Sequence, residues 1–207
     1  MRPALFAALA FAAITPAVAQ LALPKEAPGK PDPRIVTPGR YTMDPGHSQI
    51  LFTVSHMGWA SYTGQFASPT GTLIYDAKTP ARSKVEVTIP IARIQTTDRD
   101  LDKNLQAADY FDTARFPTAT FVSTRVTLTG KASATITGKL TLKGVTRPVT
   151  LTARFIGAGP EFWGDKKLAI GFAATTTIKR SDFGVSGMVP LMSDRTDLVI
   201  NAGFTHE

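Results

Sequence analysis

The chain contains no cysteine among its 207 residues. This absence excludes disulfide bonds, thiol redox chemistry, a cysteine nucleophile and cysteine-ligated zinc or iron–sulfur clusters. Charged residues are few, at 19% of the chain, and the formal net charge of +7 is spread along the sequence. Because no run of Lys and Arg is interleaved with aromatic residues, we predict that nucleic acid is not a partner.

Histidine is also scarce, and its positions do not match a metal site or a catalytic group. His47, His56 and His206 are separated by nine or more residues, unlike the closely spaced histidine pairs that bind zinc. The sequence has no P-loop, no dinucleotide fingerprint and no complete nucleophile elbow. We therefore predict no catalytic residue, no metal ion and no enzyme activity. The alternative is a small exported hydrolase or isomerase that uses His47 or His56 as its base.

The sequence has no apolar run of the ~20 residues that span a bilayer. Its first residues instead place Arg2 before an apolar stretch from Ala4 to Ile14, followed by Ala17-Val18-Ala19. A basic residue, a short apolar stretch and a small-residue cleavage site are the pattern of a secretory signal peptide. We predict a cleaved signal peptide over residues 1–19 and an exported protein.

Residues 20–40 contain five prolines, which lack the backbone N–H that helices and strand ladders use. We predict a Pro-rich linker over residues 20–40 that acts as an extended tether. The remaining residues, 41–207, show no internal repeat and no second shift in composition. They are enough for one domain with a sizeable core.

Runs rich in Val, Ile, Thr and Phe fill this domain between Gly, Pro and Asp, which is typical of antiparallel β-structure. Capping-box spacing and a 3.6-residue apolar period predict one helix over Asp98–Phe111, which could cover one end of a barrel. The predicted strands are Gln49–His56, Ser61–Phe66, Gly71–Asp76, Lys84–Thr96, Thr118–Leu128, Ala132–Lys143, Val149–Gly157, Lys167–Lys179 and Asp194–Thr205.

Many strands with one helix predict a closed or nearly closed sheet, because closure removes edges that would otherwise aggregate. The strand around residues 168–178 carries no charge on either face, and Ala169, Gly171, Ala173 and Thr175 share one of these faces. If these small residues line a barrel of about eight strands, they leave room for one ligand. Ordinary packing of small against large side chains is the alternative.

Seven segments, read in order, resemble the YceI-like family, and together they span almost the whole domain. Their order is more specific than any one of them. They are Tyr41-Thr42-Met43-Asp44-Pro45-Gly46-His47-Ser48, Phe52-x-Val54-x-His56, Gly64-Gln65-Phe66, Ala108-Asp109-Tyr110-Phe111-Asp112, Phe116-Pro117-Thr118-Ala119-Thr120-Phe121, Gly138-Lys139-Leu140-Thr141-Leu142-Lys143-Gly144-Val145-Thr146-Arg147-Pro148-Val149 and Arg180-Ser181-Asp182-Phe183-Gly184.

The resemblance implies a mainly β fold, a lipocalin-like antiparallel β-barrel of about eight strands with one or two short helices. It implies a periplasmic binding or carrier protein whose apolar interior holds a long polyisoprenoid lipid, either an isoprenoid quinone or an isoprenoid phosphate. Beyond such a bound lipid or quinone, no cofactor is implied. Transient contact with the membrane surface or a membrane redox protein is expected. The sequence does not decide between a monomer and a homodimer. A module that only docks with membrane redox proteins is a further alternative, and it predicts a solid interior.

One segment departs from the family pattern, in which Arg-Asp-x-His-Leu often precedes the Asp-Phe-Phe segment. This chain reads Leu101-Asp102-Lys103-Asn104-Leu105 instead. If the missing Arg and His hold a charged head elsewhere in the family, their loss favours a quinone or another neutral head. The alternatives are that Arg99 or Lys103 takes over this role, or that these positions only brace the helix.

Alternation along the strands and the family resemblance together give a set of candidate ligand-binding residues. The predicted mouth contains His56, Arg99, Asn104 and Arg180. The predicted lining consists of Phe52, Val54, Ile136, Leu140, Leu142, Phe172, Leu198 and Ile200.

Overall fold

The alternating runs of the sequence form strands in the computed structural model, which describes residues 23–162 and 164–207. The predicted signal peptide, residues 1–19, lies outside the described residues. No helix in the described ranges is long and apolar enough to cross a membrane. The strands are β1 Gly39–Met43, β2 Gln49–His56, β3 Ala60–Ala67, β4 Thr70–Tyr75, β5 Lys84–Pro90, β6 Ile94–Gln95, β7 Thr118–Leu128, β8 Ser133–Leu142, β9 Val145–Pro160, β10 Leu168–Lys179 and β11 Arg195–His206, and the helix is α1 Arg99–Gln106.

The strands form one antiparallel sheet that closes on itself. β1 and β2 lie end to end along β11, where Tyr41 pairs with His206 and Leu51 pairs with Val199. β4 pairs with β1 and β3 pairs with β2, so β4 and β3 also lie end to end. In the next position, β5 pairs with β4 and the short β6 pairs with β3. Together with β7 to β11 these strands make a closed barrel of eight antiparallel positions. The predicted eight-stranded, lipocalin-like barrel with a short helix is therefore confirmed.

Most strands lie within one residue of their predicted bounds, and three departures are larger. The predicted strand Lys84–Thr96 is wrong as one element, because a 3₁₀ turn at Ile91–Arg93 separates β5 from β6. β1 was not predicted, since it is only five residues long and follows the proline-rich segment. β9 begins at Val145 rather than Val149 and includes Pro148. Pro148 is tolerated because this part of β9 pairs with β8 alone, as a strand edge does.

Helix α1 covers one end of the barrel, which we call the upper end. The Asp98 carboxylate caps it by accepting hydrogen bonds from the backbone N–H groups of Asp100 (2.8 Å) and Leu101 (3.3 Å). The helix begins as predicted but ends at Gln106 rather than Phe111, because residues 107–112 form turns. Asp112 in these turns has a positive φ of 48°.

Part of the predicted linker packs against the opposite, lower end of the barrel. The backbone N–H of Lys30 donates to the carbonyl oxygen of Ala158 (2.8 Å), and the reverse bond is 2.9 Å. Val36 is buried, and the Tyr41 hydroxyl donates to the carbonyl oxygen of Thr37 at 2.7 Å. Gly159 permits this approach, since a Cβ there would lie 2.3 Å from the carbonyl oxygen of Pro28. Residues 30–38 are therefore docked on the barrel and are not a free tether.

Candidate ligand-binding cavities

The barrel interior contains two apolar cavities. The upper cavity, beneath α1, has a volume of about 450 Å³, and the lower cavity has a volume of about 270 Å³. Protein interiors normally contain few voids larger than a water molecule. The centre of this barrel is thus hollow. The lining of both cavities includes Ile50, Ile89, Leu140 and Leu198, which form the waist between them.

Ten of the twelve predicted ligand-binding residues line these cavities. Alternation along the strands places nine of them on the inner face, as expected for a barrel, and Arg180 begins the 3₁₀ turn that follows β10. The upper cavity is lined by Phe52, Val54, His56, Leu142 and Arg180, the lower cavity by Ile136, Phe172 and Ile200, and both by Leu140 and Leu198.

The remaining two, Arg99 and Asn104, line neither cavity, which corrects the prediction that they lie at the mouth. Both are exposed on α1. The helix turns its apolar face, with Leu101 and Leu105, toward the upper cavity, and this leaves Arg99 and Asn104 on the solvent side. Lys103 also points away, since its Nζ donates to Asp100 (2.9 Å) on the helix surface. Arg99 and Lys103 are thus both absent from the lining of the upper cavity.

Strand β10 turns its face of small residues away from the barrel interior, so these residues do not line the cavities. Phe172 and Ala174 point inward from β10, so the intervening Ala173 points outward with the rest of its face. The space of the lower cavity comes instead from a row of alanines in register across β8, β9 and β10, namely Ala134, Ala153 and Ala174. Because Ala134 lies on the same face of β8 as the predicted lining residue Ile136, the sequence indicated that Ala134 points inward. The sequence did not indicate that Ala153 of β9 and Ala174 of β10 point inward as well.

Gly138 faces inward but does not create open space. A Cβ at this position would lie 2.4 Å from Cζ of Phe121, so the Phe121 ring already lies over it. The same arrangement recurs at Gly64, where a Cβ would lie 2.4 Å from Cζ of Phe52. These glycines allow large rings to lie flat against a neighbouring strand.

Arg180 is the main cation of the upper cavity and is held firmly by the backbone. Its Nε donates to the carbonyl oxygen of Ser193 (3.0 Å), its Nη1 to that of Val185 (2.9 Å) and its Nη2 to that of Met192 (2.9 Å). Burial lowers the pKa of the guanidinium, while the nearby Asp194 carboxylate raises it. The side chain stays charged, because an arginine pKa starts far above neutrality.

Exposed apolar side chains surround the upper mouth. The β2–β3 turn and residues 188–191 meet there, where the backbone N–H of Met57 donates to the carbonyl oxygen of Leu191 at 2.6 Å. We call this surface the upper rim, and Met188 connects it with the cavity lining. Its members and their exposed fractions are Met57 40%, Trp59 76%, Met188 51%, Val189 40% and Leu191 50%.

The histidines proposed as catalytic bases lie in separate places. His47 lies on an exposed turn outside the cavities, where its Nδ1 is 2.6 Å from Oδ2 of Asp44. This hydrogen bond raises the pKa of His47. His56 lines the upper cavity with its ring 6.4 Å from that of Trp59. Within residues 23–162 and 164–207, no group of three or more His, Cys, Asp or Glu residues is placed to hold a metal ion.

Comparison with known proteins identifies the family. The model of the YceI-like domain matches residues 41–204, nearly the whole barrel. The chain belongs to the YceI-like family. Protein YceI of Escherichia coli O157:H7 is 41% identical over 155 residues, which cover 75% of this chain and 80% of that protein.

Solved structures share the barrel of the YceI-like family. BcnA of Burkholderia cenocepacia matches with a TM-score of 0.70 at 23% identity, over 78% of this chain and 98% of that one. A polyisoprenoid binding domain from Saccharophagus degradans, implicated in plant cell wall breakdown, matches with a TM-score of 0.59 at 16% identity, over 81% and 98%. At these identities the two structures support the fold.

Proposed function

We propose that this protein is a periplasmic binding or carrier protein for a long-chain polyisoprenoid lipid, whose tail occupies the barrel cavities. The observation that carries the proposal is the hollow, apolar interior beneath α1 and along the alanine row. Burial of an isoprene tail there would contribute about 25 cal/mol per Å² of apolar surface, independently of the head. The polyisoprenoid-binding relative and the signal-like residues 1–19 support the lipid class and the location.

The two alternative functions have less support. An interaction module for membrane redox proteins predicts a solid interior, whereas this barrel holds two cavities. A hydrolase or isomerase needs a base beside an oriented partner and a substrate site. His47 has its carboxylate partner on an exposed turn away from the cavities, and His56 faces the cavity beside Trp59.

The two cavities limit how a tail can lie. A tail that extends from the upper cavity into the lower one has to pass the waist at Ile50, Ile89, Leu140 and Leu198. Aliphatic side chains at the waist can change rotamer with little electrostatic cost. We propose that the lipid enters at the upper end, where the upper rim would contact the membrane surface during transfer.

A pair of neighbouring alanines tests whether the cavity is the binding site. Ala174→Phe should fill the lower cavity and lower the affinity for a long prenyl lipid at least about tenfold, because the tail loses its space. Ala173→Phe places the same ring on the outer face of β10 and should bind as the wild type does. Displacement of a fluorescent apolar reporter by an eight-isoprene quinone measures both variants. Equal affinity in folded Ala174→Phe protein would show that the tail lies elsewhere.

A further inference from the structure

Thr196 is a buried polar residue in an otherwise apolar stretch of the barrel wall. It lies on the inner face of β11 with Leu198 and Ile200, and it lines the upper cavity. The residue is only 7% exposed, and its Oγ1 has no hydrogen-bond partner within the described chain. A buried hydroxyl without a partner is unfavourable in the empty protein. Rotation of the Thr196 side chain about its Cα–Cβ bond would turn this hydroxyl toward an atom that enters the cavity.

Arg180 presents further donors on the same wall. Thr196 pairs with Ile178 across β10 and β11, and Arg180 follows two residues after Ile178. The guanidinium has five N–H groups, and three hydrogen bonds go to backbone carbonyl oxygens. Two N–H groups remain outside those bonds. The lining of the upper cavity thus includes the unpaired Thr196 hydroxyl and an arginine with two N–H groups outside its backbone hydrogen bonds.

The charge of the upper cavity is close to balanced. The described lining contains one carboxylate, Asp98, and one guanidinium, Arg180, together with the imidazole of His56. The Asp194 carboxylate also lies near enough to raise the pKa of Arg180. A diphosphate would bring two or more negative charges to a site whose arginine is already partly balanced by carboxylates. A carbonyl oxygen brings no net charge and accepts hydrogen bonds from both Thr196 and Arg180.

We propose that Thr196 and Arg180 form a polar anchor for an uncharged carbonyl oxygen on the head of the bound lipid, and that this anchor selects against phosphorylated heads. The inference rests on the proposed function and adds to it the chemical class of the head. Arg180 also braces residues 185–193, so its own substitution would disturb the mouth. Thr196 braces nothing that the structure describes, and it is therefore the residue to test.

The experiment compares three probes that carry the same four-isoprene tail with different heads: a benzoquinone, a diphosphate or only hydrogen. Their dissociation constants are measured by displacement of a fluorescent apolar reporter from the full chain. Thr196→Val keeps the side-chain shape and should weaken benzoquinone binding about fivefold to tenfold, with the hydrocarbon unchanged. Thr196→Ser keeps the hydroxyl and should restore benzoquinone binding. Thr175→Val, on the outer face of β10, is the matched control.

The outcomes separate the anchor from the proposed function. Equal benzoquinone affinity in wild type and Thr196→Val would overturn the anchor, as would tighter binding of the diphosphate than of the benzoquinone. Failure of the wild type to bind any of the three probes would overturn the lipid-binding function itself. Thermal unfolding without ligand gives a second readout: Thr196→Val should match or exceed the wild-type Tm, because the hydroxyl it removes has no partner. A lower Tm would assign Thr196 a structural hydrogen bond and contradict the anchor.

Discussion

At the scale of single residues, the Asp44–His47 pair stabilises the turn between β1 and β2. The Asp44 carboxylate accepts from the backbone N–H of Gly46 (2.8 Å) and contacts the His47 ring. The hydrogen bond to Asp44 raises the pKa of His47 from 6.5. For Asp44, partial burial raises the pKa, but the hydrogen bonds from His47 and Gly46 outweigh it, and the net shift from 3.8 is downward.

These shifts predict a pH dependence of stability. The stabilisation by protonated His47 is complete below pH 6.5 and is lost as the pH rises through the higher folded-state pKa. Because the pair is exposed, the loss should amount to at most about 1 kcal/mol. The difference in unfolding free energy between wild type and His47→Gln should therefore be larger at about pH 5.5 than at about pH 8.5. Urea denaturation at both pH values checks this, and a difference that does not change with pH would contradict it.

At the scale of elements, Lys143 joins the β8–β9 hairpin to the turns that close the upper end. Its Nζ donates to the backbone carbonyl oxygens of Ala108, Tyr110 and Gly184. The hairpin loop itself consists of Lys143 and Gly144, both with positive φ, at 48° and 75°. Lys143 thus connects three segments of the upper end through one charged group.

Replacement of Lys143 by Met should destabilise the protein by about 2 kcal/mol, because hydrogen bonds to charged groups contribute about 1.5–3 kcal/mol. Met has the same backbone preference at the left-handed position, so the loop conformation should persist. Lys139→Met, on the exposed face of β8, is the matched control and should change stability little. Chemical denaturation measures both variants. Equal stability of the two would show that the Lys143 contacts contribute nothing.

The upper rim leads to a prediction about membrane contact. Trp59→Ser and Leu191→Ser each remove an exposed apolar side chain from the rim and should each lower binding to phosphatidylethanolamine–phosphatidylglycerol vesicles about fivefold. Ile74→Ser is the control matched to Leu191→Ser, because Ile74 is 47% exposed and Leu191 50%; it lies in the lower half of the barrel, and its substitution should have no effect. Vesicle flotation measures the bound fraction. If Ile74→Ser weakens binding as much as the rim variants do, the rim is not the contact surface.

The elements also show how far the sequence determines the structure. Strand alternation placed nine of the twelve candidate residues on the cavity lining, because the side-chain period of a strand is fixed. The family motif supplied a tenth, Arg180. It could not choose the inner face of β10, since neither face carries a charge, and the sequence therefore offered both Phe172 and the opposite face with Ala173 as barrel lining. The apolar period of α1 correctly predicted a helix that covers one end of the barrel. The predicted mouth residues Arg99 and Asn104 failed because they were chosen by their place in the motif and not by helix facing. Thr196 gave no sequence signal, since only its burial without a partner distinguishes it.

At the scale of the whole molecule, the closed sheet encloses a hollow interior. Eight strand positions make a barrel wide enough to hold one small ligand. The alanine row leaves space in the centre of the barrel, while α1 and the loop around Arg180 cover the upper end. Residues 30–38 cover part of the lower end, where Lys84 and Lys131 are the charged residues of the described cavity lining. The barrel is therefore closed to solvent along its sides and accessible at its ends.

The measurement that tests this account most directly is native mass spectrometry of the full chain, expressed with export to the periplasm and purified without detergent. The account predicts a one-to-one complex whose excess mass corresponds to a polyisoprenoid lipid, and the anchor at Thr196 predicts a carbonyl-bearing head without phosphate. Ala174→Phe should lose that mass, and Ala173→Phe should keep it. Bare wild-type protein that also fails to take up an added prenyl quinone would contradict the central claim that the barrel holds a prenyl tail.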